Sequence, residues 1–358
     1  MITDVNLPDG NGLDLLHTIR RDYPQTVTIV ITGYGTIESA VQAIKLGAYD
    51  YLTKPIVDDD LRLAVERAIR QQSLVSENEN LRQQLEQKFS LENIISHHYK
   101  MAKIFDLVEA VADSKTTILM AGPSGTGKSM LARAIHHRSG RRNEPFVEVS
   151  CGALPETLLE SELFGHAKGS FTGAVSNKEG KFLAADGGTI FLDEISNASP
   201  GLQAKLLRVL EDRKFEAVGS NKTITVDTRI ILASNRNLDE EVKEGRFRED
   251  LFYRLNVVKI ELPPLCERVG DVRLLAGHFL KMYSAQHNRE KLGFSDEAME
   301  HLERYSWPGN IRELENVIER AALLSKSKLI GADDLPDSIK QDRSRERKEY
   351  RPMSLKDA

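Results

Sequence analysis

Only two cysteines, one tryptophan and 6% aromatic residues occur among the 358 residues of this chain. Cys151 and Cys266 stand far apart with no metal-ligand spacing, which excludes a zinc site and a disulfide framework and leaves two free thiols of a reducing compartment. No apolar run approaches the ~20 residues that span a bilayer, and no charged-then-apolar leader opens the chain. A cytoplasmic location without membrane contact is therefore expected. Charge of neither sign dominates: 49 Lys and Arg face 54 Asp and Glu, a net −5. That balance excludes a general nucleic-acid-binding surface, although local basic patches stay open. With 40% hydrophobic residues the length suits about two or three domains with sizeable cores.

What the chain does have is concentrated in a few stretches. Gly122-Pro123-Ser124-Gly125-Thr126-Gly127-Lys128-Ser129 follows the apolar run Thr117 to Met120 and opens a helical run to His137. This is the strand, glycine loop and helix context of a P-loop. Backbone N–H groups would converge on phosphate oxygens at a helix N-terminus, Lys128 would neutralise the β- and γ-phosphates, and Ser129 would hold Mg²⁺. The competing reading is a chance glycine-rich turn. Gly187-Gly188-Thr189-Ile190-Phe191-Leu192-Asp193-Glu194 reads as an apolar strand ending in two carboxylates. Asp193 would hold Mg²⁺, directly or through water, and Glu194 would orient and polarise the attacking water. A further strand, Thr228 to Ala233, ends at Ser234-Asn235, which places the Asn235 amide to sense a γ-phosphate. These residues imply ATP and Mg²⁺, and their order resembles the AAA+ ATPases.

The flanking regions organise around that block. Residues 1–57 alternate short β-type runs with helical patterns, a βαβ arrangement with Val27 to Ile31 as a buried parallel strand. Asp4, Thr32 and Lys54 sit at strand ends, where such folds place their sites. They resemble the phospho-accepting aspartate, switch hydroxyl and phosphate-pairing lysine of a response-regulator receiver, of which this is the C-terminal part. The opening strand with two acidic Mg²⁺ ligands lies outside this sequence, so phosphotransfer from a sensor histidine kinase is not expected of the chain as given, and Asp4 reads equally as a turn residue. Residues 58–90 read as one long polar helix, with Leu74, Asn78, Leu81 and Leu85 in 4-3-4 spacing that suits a parallel dimer seam or a solvated connector. Residues 91–262 form the α/β block, 263–331 a helical lid, and 332–358 a charged linker with no apolar periodicity.

The stretch that narrows function is Gly169-Ser170-Phe171-Thr172-Gly173-Ala174, within Glu160 to Ala174. With Gly245 to Leu255, Leu262 to Leu265 and Trp307 to Leu314, it closely resembles the NtrC-like enhancer-binding proteins, AAA+ activators of sigma-54 RNA polymerase, whose hallmark loop reads GAFTGA. The resemblance implies that the Gly169 to Ala174 loop, at the tip of a helical insertion, touches the sigma factor through Phe171 and Thr172. It implies that Arg312 senses the nucleotide of its own subunit. It also implies that Arg248 and Arg254 reach the γ-phosphate of a neighbour, which needs a homo-oligomer, from dimer to hexamer. Three departures stand out: Ser170 for alanine, Cys266 for arginine, and Ser150 where family members often have an asparagine that restrains the glutamate matching Glu194. The family's helix-turn-helix would follow residue 358, so specific DNA binding is not expected of this chain. The expected fold is α/β, a partial receiver of flavodoxin-like type followed by an AAA+ P-loop α/β domain with an α-helical lid. A generic AAA+ unfoldase or helicase, and a phospho-switched binding module with an idle ATPase, are the alternatives.

Overall fold

The computed structural model describes residues 1–8, 10–23, 25–33, 37–89, 91–287 and 293–341. The chain separates into two units, residues 1–88 and 89–358. The expected linker over 342–358 and the seam side chain of Leu85 lie outside the described residues.

The first unit is a parallel three-stranded sheet of β1 (Ile2–Asp4), β2 (Ile29–Thr32) and β3 (Asp50–Thr53), in that order. Helices α1 (Gly12–Asp22) and α2 (Ile37–Lys45) make the crossovers. Asn11 starts α1 by accepting a hydrogen bond from the Leu13 N–H, which satisfies one orphan donor of the first turn. Leu13, Leu16, Val30 and Ala43 form the core on one side of the sheet. Helix α3 runs unbroken from Asp58 to Phe89, as the absence of Gly and Pro dictates. Its first turns join the core of this unit, where Ala64 and Ala68 pack against Ile29. Small side chains at four-residue spacing give little apolar signal in sequence, yet they let a helix lie close on a sheet. Leu74 and Leu81 are exposed in the single chain.

The second unit holds a five-stranded, all-parallel sheet. Its strands are β4 (Ile118–Ala121), β5 (Phe146–Ser150), β6 (Thr189–Asp193), β7 (Arg229–Ser234) and β8 (Val258–Glu261), in spatial order β8-β4-β7-β6-β5. The continuous apolar runs of β4, β6 and β7 belong to strands covered on both faces, and their central residues are almost wholly buried. Helix α4 (Tyr99–Val111) and helix α5 (Lys128–His137) share a core with Ile118, Met120 and Phe191. The opposite face packs on α6 (Glu156–Phe164) and α7 (Pro200–Asp212), the latter begun by a Ser199 cap with Pro200 in its first turn. A short helix, α8 (Glu249–Leu255), precedes β8.

The lid follows as α9 (Asp271–Gln286), α10 (Asp296–Arg304) and α11 (Asn310–Leu324). Trp307, 1% exposed, fills its centre and donates from Nε1 to the Leu302 carbonyl at 2.8 Å. The linker assignment of residues 332–341 needs correction. Leu335, in extended backbone after a short turn, and Ile339, in a helix at Asp337–Gln341, are both buried in the lid core.

Candidate functional site

The carboxyl ends of β4, β6 and β7 meet the N-terminus of α5 and the lid helix α11 around a cleft of about 210 Å³. It is lined by Lys128, Ser129, Asp193, Glu194, Asn235 and Arg312, together with Ser124, Gly125 and Gly127. The fold thus brings together every nucleotide-site residue that the sequence singled out in this unit except Arg248, Arg254 and part of the loop itself.

Gly127, at φ +98°, turns the loop into α5. Among the described residues, none of the N–H groups of Ser124 to Gly127 enters a hydrogen bond, so the loop presents unsatisfied donors at the positive end of a helix dipole. That is the chemistry an oligophosphate fits. Lys128 is 7% exposed, and its ammonium donates to the Gly122 and Pro123 carbonyls at 2.7 and 2.9 Å. Burial pulls its pKa down, while Asp193 pulls it up. The ammonium is thus a desolvated cation poised to exchange two carbonyls for phosphate oxygens. For Mg²⁺, the Ser129 hydroxyl and the Asp193 carboxylate are hard oxygen donors at one wall of the cleft, and two protein ligands suit a cation that keeps waters and phosphate oxygens.

Glu194 adopts φ +55°, rare for a residue with a Cβ. Its N–H donates to Asp193 Oδ1 at 2.9 Å, and its carboxylate accepts from Asn197 Nδ2 at 3.4 Å, over Gly152. Ser150 stands opposite Asp193 in the β5–β6 register. Asn197, rather than residue 150, is therefore the amide that meets Glu194. Beneath the pair, burial and then the two carboxylates push the Cys151 thiol up to about 12, so it is a neutral packing group.

On the lid side, Arg312 Nη1 donates to Ser124 Oγ at 3.2 Å. An apolar recess of about 90 Å³ adjoins the loop, lined by Ile94, Ile95, Met130, Leu262, His278 and Phe279 among others. The sequence reading missed it because its walls come from five separate segments. Arg248 and Arg254 do not line the cleft. Arg248 forms a bidentate pair with Asp250 at 3.0 and 2.7 Å, and Arg254 is exposed one turn further along α8.

The Gly169 to Ala174 loop is carried between two short antiparallel arms, Gly165–His166 and Lys178–Glu179, which are flanked by α6 on one side and a helix at Lys181–Ala184 on the other. An aromatic cluster anchors the base: Phe164 and Phe182 stack at 5.5 Å, with Phe215 at 5.7 and 5.9 Å from them. Phe171 is half-buried, its ring edge-on to His166 at 5.0 Å, and His166 Nδ1 meets Ser161 Oγ at 2.7 Å. Ser170 packs on Gly219, its hydroxyl buried without a partner among the described residues. Thr172 is exposed.

In the first unit Asp4 and Lys54 form an ion pair across the sheet end. The hydrogen bond from Lys54, then that from the Asn6 N–H, hold the Asp4 carboxyl below its usual range. Thr32 ends β2, the strand between them.

Comparison with known proteins agrees with this layout. Residues 1–66 match a response regulator receiver domain, 94–261 a sigma-54 interaction domain and 266–352 an AAA+ ATPase lid domain. Regulatory protein AtoC of Escherichia coli (strain K12) is 46% identical over 341 residues, which is 95% of this chain and 74% of that protein. The structure of NtrX from Brucella abortus in complex with ATP is similar at 36% identity and a TM-score of 0.72, covering 98% of this chain and 77% of that one. The ADP complex of the same protein gives 38% identity and 0.70, over 94% and 75%. Among the described residues no helix is long and apolar enough to cross a membrane.

Proposed function

We propose that this chain, which belongs to the sigma-54-dependent response regulators with an AAA+ domain, hydrolyses ATP and uses the cycle to remodel a closed sigma-54 RNA polymerase promoter complex. The observation that carries the proposal is the single cleft joining Lys128, Ser129, Asp193, Glu194, Asn235 and Arg312. Lys128 and the free loop amides bind the phosphate charge, and Ser129 with Asp193 would hold Mg²⁺, which supplies charge neutralisation. Glu194 orients the attacking water and takes up its proton. Asn235 and Arg312 read the γ-phosphate from the strand end and the lid. The recess beside the loop suits a flat apolar ring such as a purine base.

Arg248 and Arg254 lie outside their own cleft, which supports service to the pocket of a neighbouring subunit and hence a closed ring. Phe171 and Thr172 make the contact with sigma-54. Asp4, beside Lys54, is the phospho-accepting carboxylate, with a sensor histidine kinase as donor to a receiver complete in its metal site.

ATPase activity measured against protein concentration, with and without sigma-54, tests the reading. Turnover per chain should rise with concentration and respond to sigma-54. Glu194→Gln should bind ATP yet hydrolyse it very slowly. Thr172→Ala or Phe171→Ala should lose sigma-54 engagement while basal turnover stays. Wild-type turnover in Glu194→Gln, or normal promoter opening by both loop variants, would overturn the corresponding assignment.

A further inference from the structure

The phosphate loop is held from behind as well as presented in front. Its five carbonyls, Gly122 to Thr126, each accept a hydrogen bond. Lys128 takes the first two. The remaining three are taken from the lid: Asn310 Nδ2 donates to Ser124 O at 2.8 Å, the Ile311 N–H to Gly125 O at 2.9 Å, and Arg268 Nη2 to Thr126 O at 3.1 Å.

The donors are built for this position. Asn310 and Arg268 are each 2% exposed. Asn310 sits at φ +54°, a conformation that asparagine tolerates better than most residues. Its Oδ1 accepts from the Leu265 N–H at 2.8 Å, which fixes the amide so that Nδ2 faces the loop. Arg268 also donates from Nε to Pro263 O at 3.0 Å. Close by, the buried Asp271 takes hydrogen bonds from Ser96 Oγ and the His97 N–H. Gly125, at φ +77°, admits the contact, since a Cβ there would lie 2.2 Å from Gly309 O.

A peptide unit is planar, with its C=O and N–H pointing in opposite directions. Three carbonyls pinned on the lid side therefore aim the following N–H groups, those of Gly125, Thr126 and Gly127, into the cleft. We propose that Asn310 and Arg268 are positioning residues that set the peptide planes of the phosphate loop, making loop and lid one anion receptor that comes apart when the lid is displaced. This rests on the nucleotide reading above for the identity of the anion, but the positioning itself belongs to the free chain.

Asn310→Asp is the incisive variant. It keeps an oxygen for the Leu265 N–H and replaces the donor to Ser124 O with a second oxygen. Amide hydrogen exchange of the nucleotide-free chain should speed up about five- to tenfold at the Ile311 N–H, which is held by Gly125 O, the weight of one hydrogen bond. Strand β6 should keep its protection. ADP affinity by calorimetry should fall by a similar factor. Arg268→Met, which removes the donor to Thr126 O, should do the same, and Arg268→Lys, which restores a donor, should recover most of it. Unchanged Ile311 exchange in folded variants overturns the proposal. So does acceleration spread over the whole unit with a lowered melting temperature, which would mean a purely structural role. A wild-type chain that binds no ADP while the variants still loosen the loop would instead sink the nucleotide reading and leave the positioning intact.

Discussion

Gly152→Ala should cut ATP hydrolysis without weakening ATP binding. Gly152 lies under the Glu194 carboxylate, and a Cβ built on it would stand 2.1 Å from Glu194 Oε2 and 2.8 Å from Asn197 Nδ2. An ordinary contact begins at 3.4 Å, so the carboxylate has to retreat by about 1 Å. Its backbone cannot follow, being fixed at φ +55° and bonded to Asp193. A misplacement of about 1 Å in a catalytic group is worth roughly 10²-fold in rate, or ~2.7 kcal/mol of barrier. The fold should tolerate the change, because the atoms displaced are the ends of two side chains and residue 152 is outside the left-handed region. Single-turnover hydrolysis under saturating ATP, beside a separate measurement of nucleotide affinity and melting temperature, reads the effect. A rate within about threefold of wild type, with the alanine confirmed, would refute the placement of Glu194. An equal loss of affinity would refute its separation from binding.

Three further outcomes are expected. Burial, then the neighbouring His137, pull the His136 pKa from 6.5 to about 4. The unfolded chain therefore binds that proton first, so the contribution is whole above pH 6.5 and is lost as pH falls toward 4, by up to about 3 kcal/mol. Urea unfolding at stepped pH should show this acid slope and lose it in His136→Asn, whereas an unchanged slope would remove His136 as its source. Trp307→Ala should destabilise the lid by about 3 to 5 kcal/mol, and a loss below about 1 kcal/mol in thermal unfolding would contradict its packing. Mixing Arg248→Ala subunits with Lys128→Ala subunits should restore hydrolysis in Arg248→Ala pockets beside Lys128→Ala neighbours. No recovery in verified mixed rings would show that Arg248 does not act between subunits.

The nucleotide cleft was legible because its chemistry is local in sequence: a glycine loop with Lys128 and Ser129, and a strand ending in Asp193 and Glu194, announce themselves within eight residues each. The parallel sheet followed from runs such as Arg229–Ser234, all six residues of which are buried. What stayed hidden depends on residues far apart in the chain. Asn310 meets Ser124 across 186 positions and Arg268 meets Thr126 across 142, and neither side chain carries a motif for loop capping. The one sequence cue was Asn310 itself, following Gly309 in a turn where asparagine tolerates positive φ. Asn197 escaped notice because attention to residue 150 presumed the family's arrangement, whereas the short turn after Glu194 brings a different amide to the carboxylate. Residues 332–341 looked like linker because two large apolar residues in ten, Leu335 and Ile339, give too weak a period, although they suffice to close the lid.

The loop from Gly169 to Ala174 is fastened to itself. The Gly169 N–H donates to Ala174 O, the Ala174 N–H to Phe171 O and the Ser170 N–H to Ala167 O, at 2.9, 3.0 and 3.2 Å. Ordering a free backbone takes about 1 to 2 kcal/mol per residue, and here that ordering is complete before any encounter. In the proposed contact with a partner, engagement would then be limited by how often the Phe171 ring leaves His166 and Ser170 leaves Gly219. The buried hydroxyl of Ser170, without a partner in the sheathed position, loosens that hold relative to an alanine. Speed of engagement, more than its strength, is therefore where this departure from the family's loop should be felt.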